Sequence, residues 1–121
     1  MSIMMQELFE APFVVEKALE SNLSTAKQIA DVCKARGIKR VILAGRGSSL
    51  HAGIAFKFFL EKQTPYVLSF EYPSMVTLFK AERDLTDSLY IVVSQSGAGP
   101  DTLAFAQSAK NQGALTVACT N

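Results

Sequence analysis

The sequence has few of the residues that metal sites, disulfide frameworks and nucleic-acid surfaces require. It contains two cysteines, one histidine and no tryptophan, and its formal net charge is +1. Cys33 and Cys119 each lie in an apolar stretch, which favours small buried side chains over a redox or zinc role. The balanced charge argues against a nucleic-acid partner. No apolar run approaches the length of about 18 residues that a membrane span needs, and residues 1–5 lack the basic start of a signal peptide. These absences predict a cytoplasmic protein with no metal, no other cofactor, and no nucleic-acid or membrane partner.

The apolar residues that are present indicate one globular domain. Hydrophobic residues make up 49% of the 121 residues and charged residues 19%, an ordinary balance for a folded chain. The first 37 residues carry an apolar stripe at helical spacing. We expect one helix over about Pro12 to Glu20, and a second that starts at a cap on Asn22 or Ser24 and runs to about Ala35, where Gly37 stops it. Residues 38–121 form the expected α/β core.

A strand–loop–helix order repeats along this core. Strands are expected at Arg40–Ala44, Tyr66–Tyr72, Leu89–Val93 and Ala114–Thr120, and helices at Ser49–Lys62, Ser74–Phe79 and Thr102–Asn111. Four strands that alternate with helices predict a doubly wound parallel sheet with helices on both faces. In the helix over 49–62, Ile54, Phe56, Phe58 and Phe59 are expected to face the core. The chain stops after the fourth strand, so we expect it to be the front part of a longer protein.

Two turns rich in glycine and serine follow the first and third strands. They are Gly45-Arg46-Gly47-Ser48-Ser49 and Ser94-Gln95-Ser96-Gly97-Ala98-Gly99. Backbone N–H groups at a helix start have no partner within the helix, and the helix dipole favours negative charge there. With strand order 2-1-3-4, both turns fall where the order reverses, which is where such sheets bind ligands. The sequence therefore predicts one phosphate site that uses the hydroxyls of Ser49, Ser94 and Ser96 and the amides of residues 47–49 and 95–99.

Three neighbouring side chains allow more than one interpretation. Gln95 can both donate and accept hydrogen bonds, which fits a sugar hydroxyl. Arg46 either adds positive charge to the site or faces solvent. His51 is either a packing and capping residue or an acid–base group.

Three motifs resemble the sugar isomerase (SIS) family. Ser94-Gln95-Ser96-Gly97, followed by Asp101-Thr102, resembles the family pattern S-Q-S-G-x-x-x-D-T. Gly47-Ser48-Ser49, followed by His51-Ala52-Gly53, resembles the family's first loop. Residues 4–12, MMQELFEAP, are similar to the entry segment of the isomerase half of glucosamine-6-phosphate synthases.

This resemblance implies a flavodoxin-like sheet and a sugar phosphate of the fructose 6-phosphate or glucosamine 6-phosphate type as ligand. The chemistry it implies is aldose–ketose isomerisation, deamination or amination, with a homo-oligomer or a second SIS domain as partner. The family's usual further threonine falls on Gly99. The implied phosphate-binding residues are Gly47, Ser48, Ser49, Ser94, Gln95, Ser96, Gly97 and Gly99. In the family a second SIS domain supplies the catalytic groups, so no catalytic residue is assigned and the chain alone is expected to bind.

Two other functions fit parts of the pattern. SIS domains also sense ligands in transcription regulators, although no basic recognition helix precedes this one. A nucleotide-binding doubly wound domain is the second alternative. It is disfavoured because Leu50 takes the place of the third glycine in a G-x-G-x-x-G turn, although Glu71 stands near the end of the second strand.

Overall fold

The computed structural model describes residues 1–121, which fall into two compact units, Met1–Ala35 and Arg36–Asn121. The first unit is one helix, α1 (Ile3–Ala35). The prediction of two helices is therefore wrong. The Asn22 side chain, expected to cap a new helix, lies within this one and donates to the carbonyl of Ala18 one turn back at 2.8 Å.

The second unit alternates strands and helices as expected. Its strands are β1 (Arg40–Ala44), β2 (Val67–Phe70), β3 (Ser88–Val93) and β4 (Leu115–Cys119), and its helices are α2 (Ser48–Gln63), α3 (Pro73–Thr77) and α4 (Pro100–Asn111). The observed bounds differ from the predicted ones by one to two residues at most ends. No helix of the protein is both long enough and apolar enough to cross a membrane.

The four strands form one parallel sheet in the order β2-β1-β3-β4. Leu43 of β1 lies opposite Phe70 on β2 and Ile91 on β3. One buried cluster includes Ile42, Tyr90 and Phe105, and a second includes Val41, Leu43 and Leu68. Side chains alternate between the faces of a strand, so the sheet has a core on each face. This confirms the doubly wound α/β fold, with the reversal of strand order between β1 and β3.

The α2 helix packs on the sheet through a face that the sequence did not predict. Ile54, Phe56, Phe58 and Phe59 are exposed, with Phe58 at 73%. The buried residue of this helix is Gly53. A Cβ atom there would lie 2.6 Å from Leu43 Cδ2. The backbone of α2 approaches β1 so closely that glycine is required at the contact, and the phenylalanines are turned away.

A charged pair on α2 closes the outer edge of β2. Lys57 Nζ donates to the carbonyl of Leu68 at 2.8 Å, and the Leu68 N–H donates to Glu61 Oε1 at 2.8 Å. Lys57 and Glu61 also pair with each other. The hydrogen bond from Lys57 and then that from Leu68 hold the pKa of Glu61 below its usual value. Side chains thus satisfy backbone groups that an edge strand otherwise leaves open.

On the opposite edge, Cys119 is exposed, contrary to the expectation of burial. It is the last residue of β4, which has a neighbouring strand on one side only.

Candidate functional site

The turns after β1 and β3 lie side by side at the carboxyl end of the sheet. We call residues 45–49 loop 1 and residues 94–99 loop 2. The last residue of β1, Ala44, is opposite Val92 of β3, so both loops leave the sheet at the same level. A cavity of about 70 Å³ lies between them. Its lining residues are Ala44, Gly45, Arg46, Ser49, Val92, Val93, Ser94, Thr102 and Phe105.

The cavity brings together some of the residues that the sequence singled out. Ser49 and Ser94 line its wall. The remaining members of the predicted set lie in or beside the two loops and are not part of this wall: Gly47, Ser48, Gln95, Ser96, Gly97 and Gly99. Thr102 is a lining residue that the site prediction omitted, although the D-T pair of the motif contains it.

Loop 2 is held by its own serine side chains. The N–H of Gly97 donates to Ser94 Oγ at 3.2 Å, and the N–H of Ala98 donates to Ser96 Oγ at 3.3 Å. Two of the amides expected to face a ligand are therefore engaged within the loop. The N–H of Ser49 is engaged as well, because it donates to the carbonyl of Arg46 at 3.2 Å. A hydroxyl that accepts from an amide still has its own hydrogen to donate, so both serines keep a donor for an anion.

The first turn of α4 provides amides that have no partner in the chain. Gly99 is its N-cap and Pro100, which has no N–H, is its first residue. The first hydrogen bond of the helix runs from the N–H of Leu103 to the carbonyl of Gly99 at 3.1 Å. The amides of Asp101 and Thr102 precede that bond and remain unpaired, as is usual for a helix start. They lie at the positive end of the helix dipole.

Gly97 gives loop 2 its sharp turn. Its φ is +64°, in the left-handed region that only glycine adopts readily. A Cβ atom on Gly97 would lie 2.7 Å from Thr120 Oγ1. That hydroxyl donates to the carbonyl of Gln95 at 3.2 Å, and the N–H of Asn121 donates to the same oxygen at 3.1 Å. The residues after β4 therefore brace loop 2 from one side.

An ion pair connects loop 1 with α4 beside the cavity. The guanidinium of Arg46 donates to the Asp101 carboxylate. The Arg46 side chain is 70% exposed and that of Asp101 is 32% exposed. Arg46 therefore faces solvent, as one of its two interpretations predicts. Its charge is already paired with Asp101 and is not free for the site.

The side chain of His51, on α2, contacts loop 1. Its Nδ1 lies 2.8 Å from the carbonyl oxygen of Gly47. A carbonyl can only accept, so this nitrogen carries the proton. The contact orients the imidazole against loop 1, and both interpretations of His51 stay predictions.

A second, larger cavity lies on the other side of loop 1. It measures about 320 Å³ and shares Gly45 and Arg46 with the small cavity. Its further lining residues are Gly47, Leu50, Ile54, Phe70, Glu71, Tyr72 and Pro73. Loop 1 thus separates a small cavity faced by hydroxyls from a roomier one bordered by the end of β2.

Comparison with protein families matches residues 34–121 to the SIS domain, and this range contains both loops. The chain belongs to the SIS domain family. The match confirms the family that the three motifs indicated.

Several relatives resemble the chain along nearly its whole length. An isomerizing glutamine–fructose-6-phosphate aminotransferase of Aquifex aeolicus is 32% identical over 124 residues, which cover 98% of this chain and 19% of the relative. The human enzyme designated 2 is 33% identical, over 99% of this chain and 18% of its own length. The chain thus spans about a fifth of the curated relatives that it matches.

A crystal structure from Silicibacter pomeroyi DSS-3, provisionally assigned as a phosphosugar isomerase, superimposes with a TM-score of 0.92. It is 30% identical, and the match covers all of this chain and 37% of that one. A provisionally assigned sugar-binding protein of Salmonella typhimurium LT2 is 25% identical with a TM-score of 0.77. These structures confirm the SIS fold of the chain.

Proposed function

We propose that the chain is a phosphosugar-binding SIS domain of a cytoplasmic enzyme that isomerises, deaminates or aminates sugar phosphates. The observation that carries the proposal is the meeting of two hydroxyl-bearing turns on one small cavity, beside the free amides of a helix start. The names of the similar proteins support the same class of ligand, since they refer to fructose 6-phosphate and to phosphosugar isomerisation.

Serine hydroxyls would be the main donors to the phosphate. Ser49 and Ser94 line the cavity, and Ser96 lies in the same loop as Ser94. Because Ser94 Oγ and Ser96 Oγ accept from loop amides, each hydroxyl hydrogen is left to donate outward, and the chained bonds polarise one another. Hydrogen bonds to a charged group contribute about 1.5–3 kcal/mol each, so four or five suffice for micromolar affinity after the entropic cost of association.

Backbone amides complete the proposed phosphate site. The N–H groups of Gln95, Ser96 and Gly99 have no partner within the chain, and neither do those of Asp101 and Thr102. They add neutral donors at the positive end of the α4 dipole.

The other predicted residues would act around this centre. Gly47 caps α2 and Ser48 is the first residue of that helix. The side-chain amide of Gln95, an exposed residue, has both a donor and an acceptor for a sugar hydroxyl. Gly97 and Gly99 shape loop 2 so that its backbone approaches the phosphate.

The proposed role of this chain is binding, with proton transfer supplied from elsewhere. Shuttling a proton between neighbouring sugar carbons needs a positioned carboxylate that is available as a base. The carboxylate of Asp101 is paired with Arg46, and that of Glu71 is buried and bound to Arg83 and Tyr90. A second SIS domain or another copy of the chain would contribute the base, which makes a homo-oligomer or a two-domain protein the expected assembly.

Titration calorimetry tests the proposal. Fructose 6-phosphate and glucosamine 6-phosphate are expected to bind, whereas unphosphorylated fructose does not. Ser94→Ala and Ser96→Ala should each weaken binding by about 1–3 kcal/mol. Ser69→Ala, which alters an exposed serine on β2, is the matched control and should change nothing. Equal affinity for the phosphorylated and unphosphorylated sugars would eliminate the phosphate site.

A further inference from the structure

A buried charged network joins the end of β2 to the middle of the sheet. The Glu71 carboxylate accepts from Arg83 Nη2 at 2.7 Å and Arg83 Nη1 at 3.3 Å, and from the Tyr90 hydroxyl at 2.9 Å. The Glu71 side chain is 3% exposed, and Tyr90 is among the most deeply buried residues. Three hydrogen bonds, two from one guanidinium, therefore fix the carboxylate in place.

Arg83 is itself anchored to a second element. Its backbone N–H donates to Gln112 Oε1 at 2.6 Å, and Gln112 Nε2 donates to Ser108 Oγ at 2.7 Å. Gln112 is the C-cap of α4 and Ser108 lies in its last turn. The connection between α3 and β3, which carries Arg83, is thus tied to α4, and through Glu71 it is tied to β2.

The network is a poor device for stability alone. Arg83 Nε is buried and has no hydrogen-bond partner, so its desolvation is not offset. Buried ion pairs in general add little net stability relative to apolar residues of similar volume. Apolar side chains at these positions would not supply the geometric constraint that the network imposes.

That constraint acts on a wall of the larger cavity. The Glu71 N–H donates to the carbonyl of Leu43 at 2.9 Å, which extends the ladder between β2 and β1 by one residue. Glu71, Tyr72 and Pro73 then face loop 1 across the cavity of about 320 Å³. Since this cavity shares Gly45 and Arg46 with the proposed phosphate cavity, a ligand whose phosphate lies in the small one can extend its remaining atoms into the larger one.

We propose that Glu71, held by Arg83 and Tyr90, is a positioning residue that fixes the turn at residues 71–73 as the wall facing the sugar. The inference rests on the proposed phosphosugar function and deepens it. The network acts on the sugar end of the ligand, whereas loop 2 and α4 hold the phosphate. Its signature is therefore a loss of selectivity for sugar phosphate over inorganic phosphate.

Calorimetry on the full chain with inorganic phosphate and with fructose 6-phosphate measures that selectivity. Glu71→Gln keeps the size of the side chain but removes its charge, and Tyr90→Phe removes one hydrogen bond and leaves the ion pair. We expect Glu71→Gln to weaken fructose 6-phosphate binding about tenfold, as displacement of a positioning group does. Tyr90→Phe should weaken it about threefold. Inorganic phosphate affinity should stay within about twofold of wild type for both.

Asp87→Asn is the matched control, because it breaks an ion pair with Arg40 at the opposite end of the sheet. It should leave both affinities unchanged. Thermal unfolding of each variant separates loss of fold from loss of selectivity, and Tyr90→Phe serves if Glu71→Gln does not fold.

Several results would overturn the inference. Equal weakening of both ligands, or no weakening of either, contradicts a role confined to the sugar wall. Equal affinity of the wild type for inorganic phosphate and fructose 6-phosphate would contradict the sugar wall while leaving the phosphate site intact. Failure of the wild type to bind either ligand would instead remove the proposed function, and the inference with it.

Discussion

The turn at Gly97 provides the sharpest test of the architecture of loop 2. Gly97→Ala places a Cβ atom at a φ of +64° and 2.7 Å from Thr120 Oγ1. Left-handed backbone costs an alanine about 1–2 kcal/mol. To make room, Thr120 must move and lose its hydrogen bond to Gln95, which contributes about 0.5–1.5 kcal/mol. The expected loss of unfolding free energy is the sum, about 1.5–3.5 kcal/mol.

Gly37 offers a matched control for this substitution. Its φ is also +64°, but a Cβ atom there would meet nothing within 4 Å. Gly37→Ala should therefore show only the backbone cost of about 1–2 kcal/mol. Urea denaturation of both variants, with unchanged slopes, measures the difference.

Ligand binding separates the two sites further. Gly97→Ala should also weaken fructose 6-phosphate binding, because the shifted loop displaces the hydroxyl of Ser94. Gly37→Ala should leave binding intact, and Thr120→Ala added to Gly97→Ala should cost little further stability, because the hydrogen bond from Thr120 is already lost. Equal loss of stability in the two alanine variants would contradict the close contact of Gly97 with Thr120, and wild-type binding by Gly97→Ala would contradict the coupling of this turn to the site.

Three further predictions concern ionisable groups. Asp101→Asn removes the partner of Arg46 and frees its charge for a bound anion, so fructose 6-phosphate should bind more tightly in calorimetry. Added salt should reduce this gain in affinity, because the Arg46 side chain is exposed. Glu61→Gln removes a carboxylate whose pKa is lowered by the hydrogen bond from Lys57. The wild type should be the more stable above the ordinary glutamate pKa of about 4.3, and the difference should vanish as pH falls through the lowered native value. Burial raises the pKa of Tyr90, so wild-type stability should decline as pH rises above about 10, and Tyr90→Phe should flatten that decline in denaturation curves.

Each of these predictions has a control and a contradicting result. Asp87→Asn breaks a different ion pair and should not raise affinity, and unchanged affinity with Asp101→Asn would contradict the release of Arg46. Glu82→Gln alters an exposed glutamate and should leave the unfolding free energy at neutral pH unchanged. A gap between wild type and Glu61→Gln that persists in strong acid would rule out the linkage. If the stability of wild type and Tyr90→Phe fell equally as pH rises above about 10, ionisation of Tyr90 would not be the cause of the decline.

The sheet could be predicted from the sequence because its two central strands are nearly continuous apolar runs. The runs Arg40–Ala44 and Leu89–Val93 are almost uninterrupted in apolar residues, as strands buried on both faces require. Because these two parallel strands are neighbours, the turns that follow them lie side by side at the carboxyl end of the sheet, independently of the side chains in those turns. The placement of Ser49 and Ser94 on one cavity therefore follows from strand order.

Contacts between distant side chains could not be predicted in this way. Arg46 and Asp101 are 55 residues apart, and Arg83 and Glu71 are 12 apart in different connections. Their meeting depends on rotamers and loop paths that no periodicity encodes. The prediction that the phenylalanines of α2 face the core was wrong for a related reason. Hydrophobicity favoured these side chains for the core, whereas the contact with the sheet is decided by how closely the backbone at Gly53 approaches Leu43.

The same pairing of charges explains why the proposed site would hold a dianion with neutral groups. Arg46, the cation that lines the small cavity, is already matched by Asp101, so hydroxyls and amides are left to meet the phosphate. Fixed dipoles do not have to be stripped of bound counter-ions, and they lose less strength with added salt than exposed charges do. Their orientation is set in advance by the internal bonds of loop 2. A weak dependence of phosphate affinity on ionic strength is therefore the expected behaviour of this arrangement, whereas a basic patch would lose affinity steeply.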